Sequence, residues 1–410
     1  VISDTLSGGK ILKVKNMLDT FTREFIQSET TRLSAGTDAD DETKKVVAVV
    51  SSGIFSPNFK SGGEQTAVLP DESLFEDAYG PISVSPSGSS NNISNSGERR
   101  QVVSKEELQA ASGLSYREAK KMDRFSLLAL AAARAALDAA DLNEDEYRNC
   151  GIITGNMVGG WSFTEPQLRA LHTAGLSAVS PYLASAWFPA APQGQVTIHL
   201  GMKGFAKTIT TDRGAGAQAI EMAVERLRHS RKKEFLLAGG AEAPVTPFVE
   251  AALAQAGTST ESIVEGAAYL LLTSMKADAA ASATTEAKLG DYVNFPLRYD
   301  RGFPATQISK AVSAMLESGK NLPFPDAIIC NTAACGWIES ETTSALKTLM
   351  GSRTPRLLFP SRVVGDGLAA SAPIALGIGY ELLKNQPDNY RSLLTLTIGH
   401  QGAHIIRMYR

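Results

Sequence analysis

The chain has 410 residues, far more than one small core needs and enough for two domains or one large two-lobed domain. Apolar residues make up 43% and charged residues 20%, a globular balance, and a formal net charge of -3 sets up no overall basic field toward nucleic acid or membrane. No run of about 18 apolar residues occurs, so no segment reads as a membrane span, and Val1 to Lys15 lacks the apolar stretch of a signal peptide.

The three cysteines, Cys150, Cys330 and Cys335, form no CxxC pair, and an odd count argues against a disulfide framework. A reducing cytoplasm is the expectation that follows. His172, His199 and His229 stand alone without metal-ligand spacing, and no phosphate-binding glycine fingerprint is present. The basic run Arg226, Arg228, Arg231, Lys232 and Lys233 reads as a solvated helix end rather than a binding patch.

In chain order, residues 1–44 read as an N-terminal extension. Ile11, Val14, Met17, Leu18 and Phe21 recur at helical spacing, and Ala35 to Asp41 reads as a linker. Val46 to Val50 is a β-branched run that predicts a buried strand. Ser83 to Asn95 is a polar stretch without core-forming residues. Asp123 is placed to cap a helix through the alanine-rich segment that follows, closed by Asp141-Leu142-Asn143. Strands are predicted at 151–154, 207–211, 235–238 and 267–273, with a helix over 216–229. After the soft stretch 277–285, a second series is predicted at 288–293, 326–330, 356–359, 393–398 and 404–409. This alternation argues for a layered α/β fold, with one half over 45–276 and a second over 277–410.

The segment from Gly159 to Phe248 carries the function. It contains Ala186-Trp187-Phe188, Gly194-Gln195 with Ile198, Gly201-Met202-Lys203-Gly204-Phe205 and Gly239-Gly240-Ala241-Glu242. In this order these phrases resemble chain-length factors, the beta subunits of type II polyketide synthases, and the resemblance extends over residues 45–410. It implies a thiolase-like fold: two similar α/β halves stacked in five layers.

An active ketosynthase of this fold carries a cysteine on a strand-to-helix turn, where the helix N-terminus favours the thiolate. The matching turn here is Thr211 to Gly216, and Arg213 fills the nucleophile's slot. A guanidinium stays protonated at neutral pH and serves neither as nucleophile nor as base. Two histidines also belong to an active member. The first slot falls on Ala333 or a neighbour in Asn331 to Gly336, the second on Asp366 in Gly365 to Ala369. The resemblance therefore implies no catalytic residue of its own, with Arg213, Ala333 and Asp366 at the degenerate positions. The family's usual glutamine in the nucleophile slot is missing, so its role does not carry over. A buried arginine needs a carboxylate, and Asp366 or Asp212 is the expected partner.

Residues that wall the growing chain's tunnel carry over as Trp161, Thr164, Leu168 and Phe248. Locally, Thr164 with Gln167 has the spacing of a capping box, Pro166 suits a first turn, and Phe163 with Leu168 suits a hydrophobic staple; Leu168 then either lines the tunnel or fixes the helix start. The implied function is to pair with a ketosynthase alpha subunit as a heterodimer and set how many malonyl units are added, with aromatic polyketides as the expected products. Substrates would arrive on the phosphopantetheine arm of acyl carrier protein, with no cofactor or metal in this chain. Two alternatives stay open: a similar degenerate subunit of a polyene pathway, and an independent acyl hydrolase using Cys335 with His400.

Overall fold

The computed structural model describes residues 45–61, 101–276, 287–298, 304–332, 336–353 and 355–410. The expected helix and linker of 1–44, the polar stretch 83–95, the soft stretch 277–285, and Ala333 and Cys335 lie outside the described residues. Eleven strands are described: β1 Lys45–Phe55, β2 Lys60–Ser61, β3 Gly151–Asn156, β4 Ala206–Thr210, β5 Phe235–Glu242, β6 Gly266–Lys276, β7 Lys288–Pro296, β8 Ala327–Asn331, β9 Arg356–Leu358, β10 Ser392–Ile398 and β11 Gly402–Tyr409. The described helices of eight or more residues are α1 Lys105–Ser112, α2 Arg124–Asp138, α3 Trp161–Ala174, α4 Ala191–His199, α5 Ala215–His229, α6 Pro247–Gln255, α7 Ala305–Ser318, α8 Gly336–Met350 and α9 Ser371–Asn385.

The strands run β4-β3-β5-β6-β1-β7-β11-β10-β8-β9, with β2 hung on β1. From the β1–β7 junction outward, each half has the same order: its first strand, then its fifth, fourth, second and third. The pairing repeats as well. Each half has two antiparallel contacts near the junction, β6 on β1 and β5, β11 on β7 and β10, and parallel contacts toward its edge. The chain holds no literal sequence repeat, so this symmetry is written in topology alone.

The helices complete five layers. α5 and α9 pack on each other, α5 against β3 and β5, and α9 against β6, β1, β8 and β10. α2 covers the other face of the first half-sheet, with α4 beside it; α7, with α8 beside it, covers that of the second. One apolar cluster fills the middle and one lies under each outer helix layer, as a layered α/β arrangement requires.

Local sequence explains most of these elements. Asp123 caps α2, its Oδ1 accepting from Phe125 N at 2.9 Å. β1 outlasts its apolar run because Ser51 and Ser52 are buried with partners: Ser51 Oγ donates to Ala136 O at 2.6 Å and Ser52 Oγ to Glu381 Oε1 at 3.1 Å. Three of the five cations of the basic run meet carboxylates: Arg226 meets Glu234, Arg228 meets Asp291 and Lys233 meets Glu146.

Candidate functional site

In both halves the segment after the third strand leads into a helix of the central layer. After β4 a short turn carries Asp212 and Arg213 and leads into α5; after β9 a longer segment, with 3-10 turns at Pro360–Arg362 and Leu368–Ala370, carries Asp366 and leads into α9. The two turns touch. Gly216 lies so close to Ala369 O that a Cβ would come within 2.2 Å of it.

Arg213 Nη1 donates to Asp366 Oδ1 at 2.5 Å, with the side chains 5% and 0% exposed. Of the two carboxylates expected as partners, Asp366 is the one used. Asp366 Oδ1 also accepts from Leu368 N at 3.0 Å and from Ser371 Oγ at 3.3 Å. Its backbone is fixed by Asp366 N donating to Ser262 O and Val264 N donating to Asp366 O. Asp212 plays a different part. Its Oδ1 accepts from Gly214 N at 2.8 Å and its Oδ2 from Gln401 N at 2.9 Å, tying the α5 turn to the loop before β11. His404 lies behind this turn with Nδ1 2.8 Å from Glu221 Oε1, both buried. His400 is exposed on the loop. Arg213 thus sits between β4 and α5 as a buried cation whose charge is taken by Asp366.

The four expected tunnel residues lie on two elements. Trp161, Thr164 and Leu168 are on α3, and Phe248 is on α6. Trp161 and Phe248 stack, ring centroids 4.3 Å apart and planes 23° from parallel. Trp161 also packs on a small apolar cluster of Val249, Leu253, Ile263 and Leu368. Phe248 remains 52% exposed, and Leu168 is exposed as well.

The capping box expected at Thr164 and Gln167 is not formed. α3 begins three residues earlier, at Trp161, and Thr164 Oγ1 donates back to Gly160 O at 2.6 Å. Gln167 Oε1 instead accepts from Ser180 N at 2.7 Å. Pro166 falls inside the helix, and the staple geometry for Phe163 and Leu168 is lost with the cap. The cause is a remote carboxylate. Asp123 Oδ2 accepts from Phe163 N at 2.7 Å and from Ser162 Oγ at 2.8 Å, so the donors of the earlier turn are satisfied from the start of α2. Gly160 permits this start: a Cβ there would lie 2.2 Å from Ala186 O.

Glu242, at the end of β5, is fully buried and holds the turn before α3, accepting from Met157 N and Val158 N. Burial pushes its carboxyl up to about 8, against the pull of those two N–H groups and with Asp123 pushing it further. Burial likewise pushes Asp123 up to about 6 despite its bonds to Phe125 N, Phe163 N and Ser162. Sequence reasoning missed Glu242 and the second role of Asp123. A lone carboxylate closing the apolar strand FLLAGGAE was the one signal for Glu242.

β4 forms one edge of the sheet, and its residues are exposed or half-buried. Leu171, Leu176, Tyr182, Trp187, Phe188, Ile198 and Phe205, on the segments leading to that strand, are exposed apolar side chains. Exposed apolar side chains in such number are the kind of surface that partners cover. Among the described residues no helix is long and apolar enough to cross a membrane, and no group of three or more metal-ligating side chains comes together.

Residues 44–269 match the family model for the N-terminal domain of beta-ketoacyl synthases. The chain belongs to the beta-ketoacyl synthase family. It is 26% identical over 352 residues to the ketoacyl synthase beta subunit of the tetracenomycin polyketide synthase of Streptomyces glaucescens, covering 73% of this chain and 85% of that protein. A shorter stretch of 127 residues, 30% of this chain and 31% of the relative, is 37% identical to nodulation protein E of Rhizobium leguminosarum bv. trifolii. Two solved structures share the fold, which is thiolase-like. One is the ishigamide ketosynthase/chain length factor, at a TM-score of 0.68 and 18% identity, covering 89% of this chain and 99% of that one. The other is a type II polyketide synthase acyl-carrier protein in complex with its ketosynthase bound to the hexaketide, at 0.66 and 21%, with the same coverage.

Proposed function

We propose that this chain is a non-catalytic chain-length factor that pairs with a cysteine-bearing ketosynthase and limits how many malonyl units are condensed on acyl carrier protein. The observation that carries the reading is the buried Arg213–Asp366 pair. The nucleophile slot is filled by a cation that cannot attack a thioester, and the slot of one catalytic histidine is filled by the carboxylate that neutralises it. With Ala333 in the other histidine slot, no side chain in the three family positions can carry an acyl group or polarise a malonyl thioester.

The beta-subunit likeness supports the pairing with a ketosynthase alpha subunit, and the edge strand β4 with the exposed apolar residues on the segments before it would supply a face for it. The Trp161–Phe248 stack supplies bulk where the tunnel would end, with Thr164 and Leu168 on the following turns of α3. Products are poly-β-ketone precursors of aromatic compounds in this reading. The test is reconstitution: the purified chain, carrier protein and malonyl groups, with and without a ketosynthase. Polyketide should form only when the ketosynthase is present. Multiple turnovers of carbon–carbon bond formation by the chain alone would overturn the reading.

A further inference from the structure

The first turn of α6 satisfies its N–H groups in an unusual way. Pro247 has none to offer, Thr246 Oγ1 accepts from Val249 N at 3.3 Å, and Phe248 N donates to Glu165 Oε2 at 3.1 Å. Glu165 belongs to α3, one turn after Trp161, next to Thr164 and three residues before Leu168. Its other oxygen accepts from Arg169 Nη2 at 2.9 Å, and Thr246 adds a further side-chain bond. One carboxylate therefore joins the helix carrying Trp161 to the residue whose ring stacks on Trp161. A negative charge at the start of α6 also complements the helix dipole.

We infer that Glu165 is a positioning residue of the gate: by holding Phe248 N from α3 it fixes the Trp161–Phe248 stack and so sharpens the length at which chain growth stops. This rests on the chain-length reading above. The Phe248 ring, half exposed, has two anchors, the stack itself and the bond of its own N–H. Removing Glu165 leaves both helices capped, because Asp123 still holds the start of α3 and Thr246 still holds Val249 N. What is lost is the tie between them.

The experiment uses the complex reconstituted with ketosynthase and carrier protein, comparing wild type, Glu165→Ala, Glu165→Gln and Trp161→Ala by product mass. Glu165→Ala should raise the ratio of longer to parent product by about five- to tenfold, the shift one charge-assisted hydrogen bond can hold. Glu165→Gln keeps a carbonyl acceptor for Phe248 N and should restore most of the parent distribution. A parent distribution from Glu165→Ala, with longer products from Trp161→Ala, overturns the inference and leaves the gate reading standing. Parent masses from all three variants overturn both. Fluorine NMR of the chain labelled with 5-fluorotryptophan provides a readout independent of assembly. The Trp161 resonance should shift or broaden in Glu165→Ala and return in Glu165→Gln; an unchanged resonance in Glu165→Ala overturns the inference.

Discussion

Arg213 and Asp366 stand on the segments that lead from the third strand of each half into a central-layer helix, and they meet as a buried ion pair at 2.5 Å. In the proposed reading, two positions that an active ketosynthase uses for chemistry are thereby spent on each other.

This pairing has a stability signature. Arg213→Leu leaves Asp366 buried without its cation, which should cost about 3–5 kcal/mol, whereas replacing both partners by apolar residues should recover most of that loss. Chemical denaturation of the two single variants and Arg213→Leu/Asp366→Leu checks it. Additive losses in the double variant would mean that the two residues are not coupled.

Arg213→Cys should not yield a condensing enzyme. The new thiol would start α5, where a thiolate is favoured, but Asp366 would stay beside it, and groups that act as a unit do not contribute additively. Mass spectrometry should detect at most slow acylation by acyl-carrier protein, with no multiple-turnover condensation by the variant alone.

Acidity should stabilise the chain. Glu242 titrates at about 8 when folded against 4.5 when free, and Asp123 at about 6 against 3.8. The folded state therefore holds more protons than the unfolded state between those values, so stability is fully present below the free values and falls as pH rises through the folded ones. Melting temperatures should decline from pH 5 to about 8 and then level off, and Glu242→Gln should flatten the upper part of the decline, between about pH 6 and 8.

The apolar face beside β4 should be required for assembly. Trp187 and Phe188, both exposed and packed edge to face with centroids 6.0 Å apart, are the residues to change. Phe188→Asp should weaken association with the ketosynthase at least tenfold by light scattering or ultracentrifugation, as loss of an aromatic anchor does, while the melting temperature of the chain alone stays within a degree or two.

The regular elements were legible because local chemistry decides them. Val46 to Val50 announces β1, Asp123 announces α2, and both strand series fall where the apolar runs lie. The start of α3 was not legible. The Thr164 and Gln167 pattern is a sound local cap, but it lost to Asp123, a carboxylate 40 residues away from the Phe163 N–H it accepts. The contact between two of the expected tunnel residues was not legible: nothing local tells that Trp161 and Phe248 stack, since α3 and α6 are separated by α4, β4, α5 and β5. For Arg213, charge burial alone limited the partner to a nearby carboxylate, and the meeting of the two turns made it Asp366.

In the proposed reading, bulk on α3 and α6 stops chain growth, and the mass of the polyketide released by the reconstituted complex carrying Trp161→Ala tests it. The indole stacks on Phe248 and only partly packs on the cluster of Val249, Leu253, Ile263 and Leu368. Its removal should lengthen the product by at least one two-carbon unit while the complex still assembles. A product of unchanged mass, with stability lowered by about 3–5 kcal/mol as expected for a core tryptophan, would contradict the account.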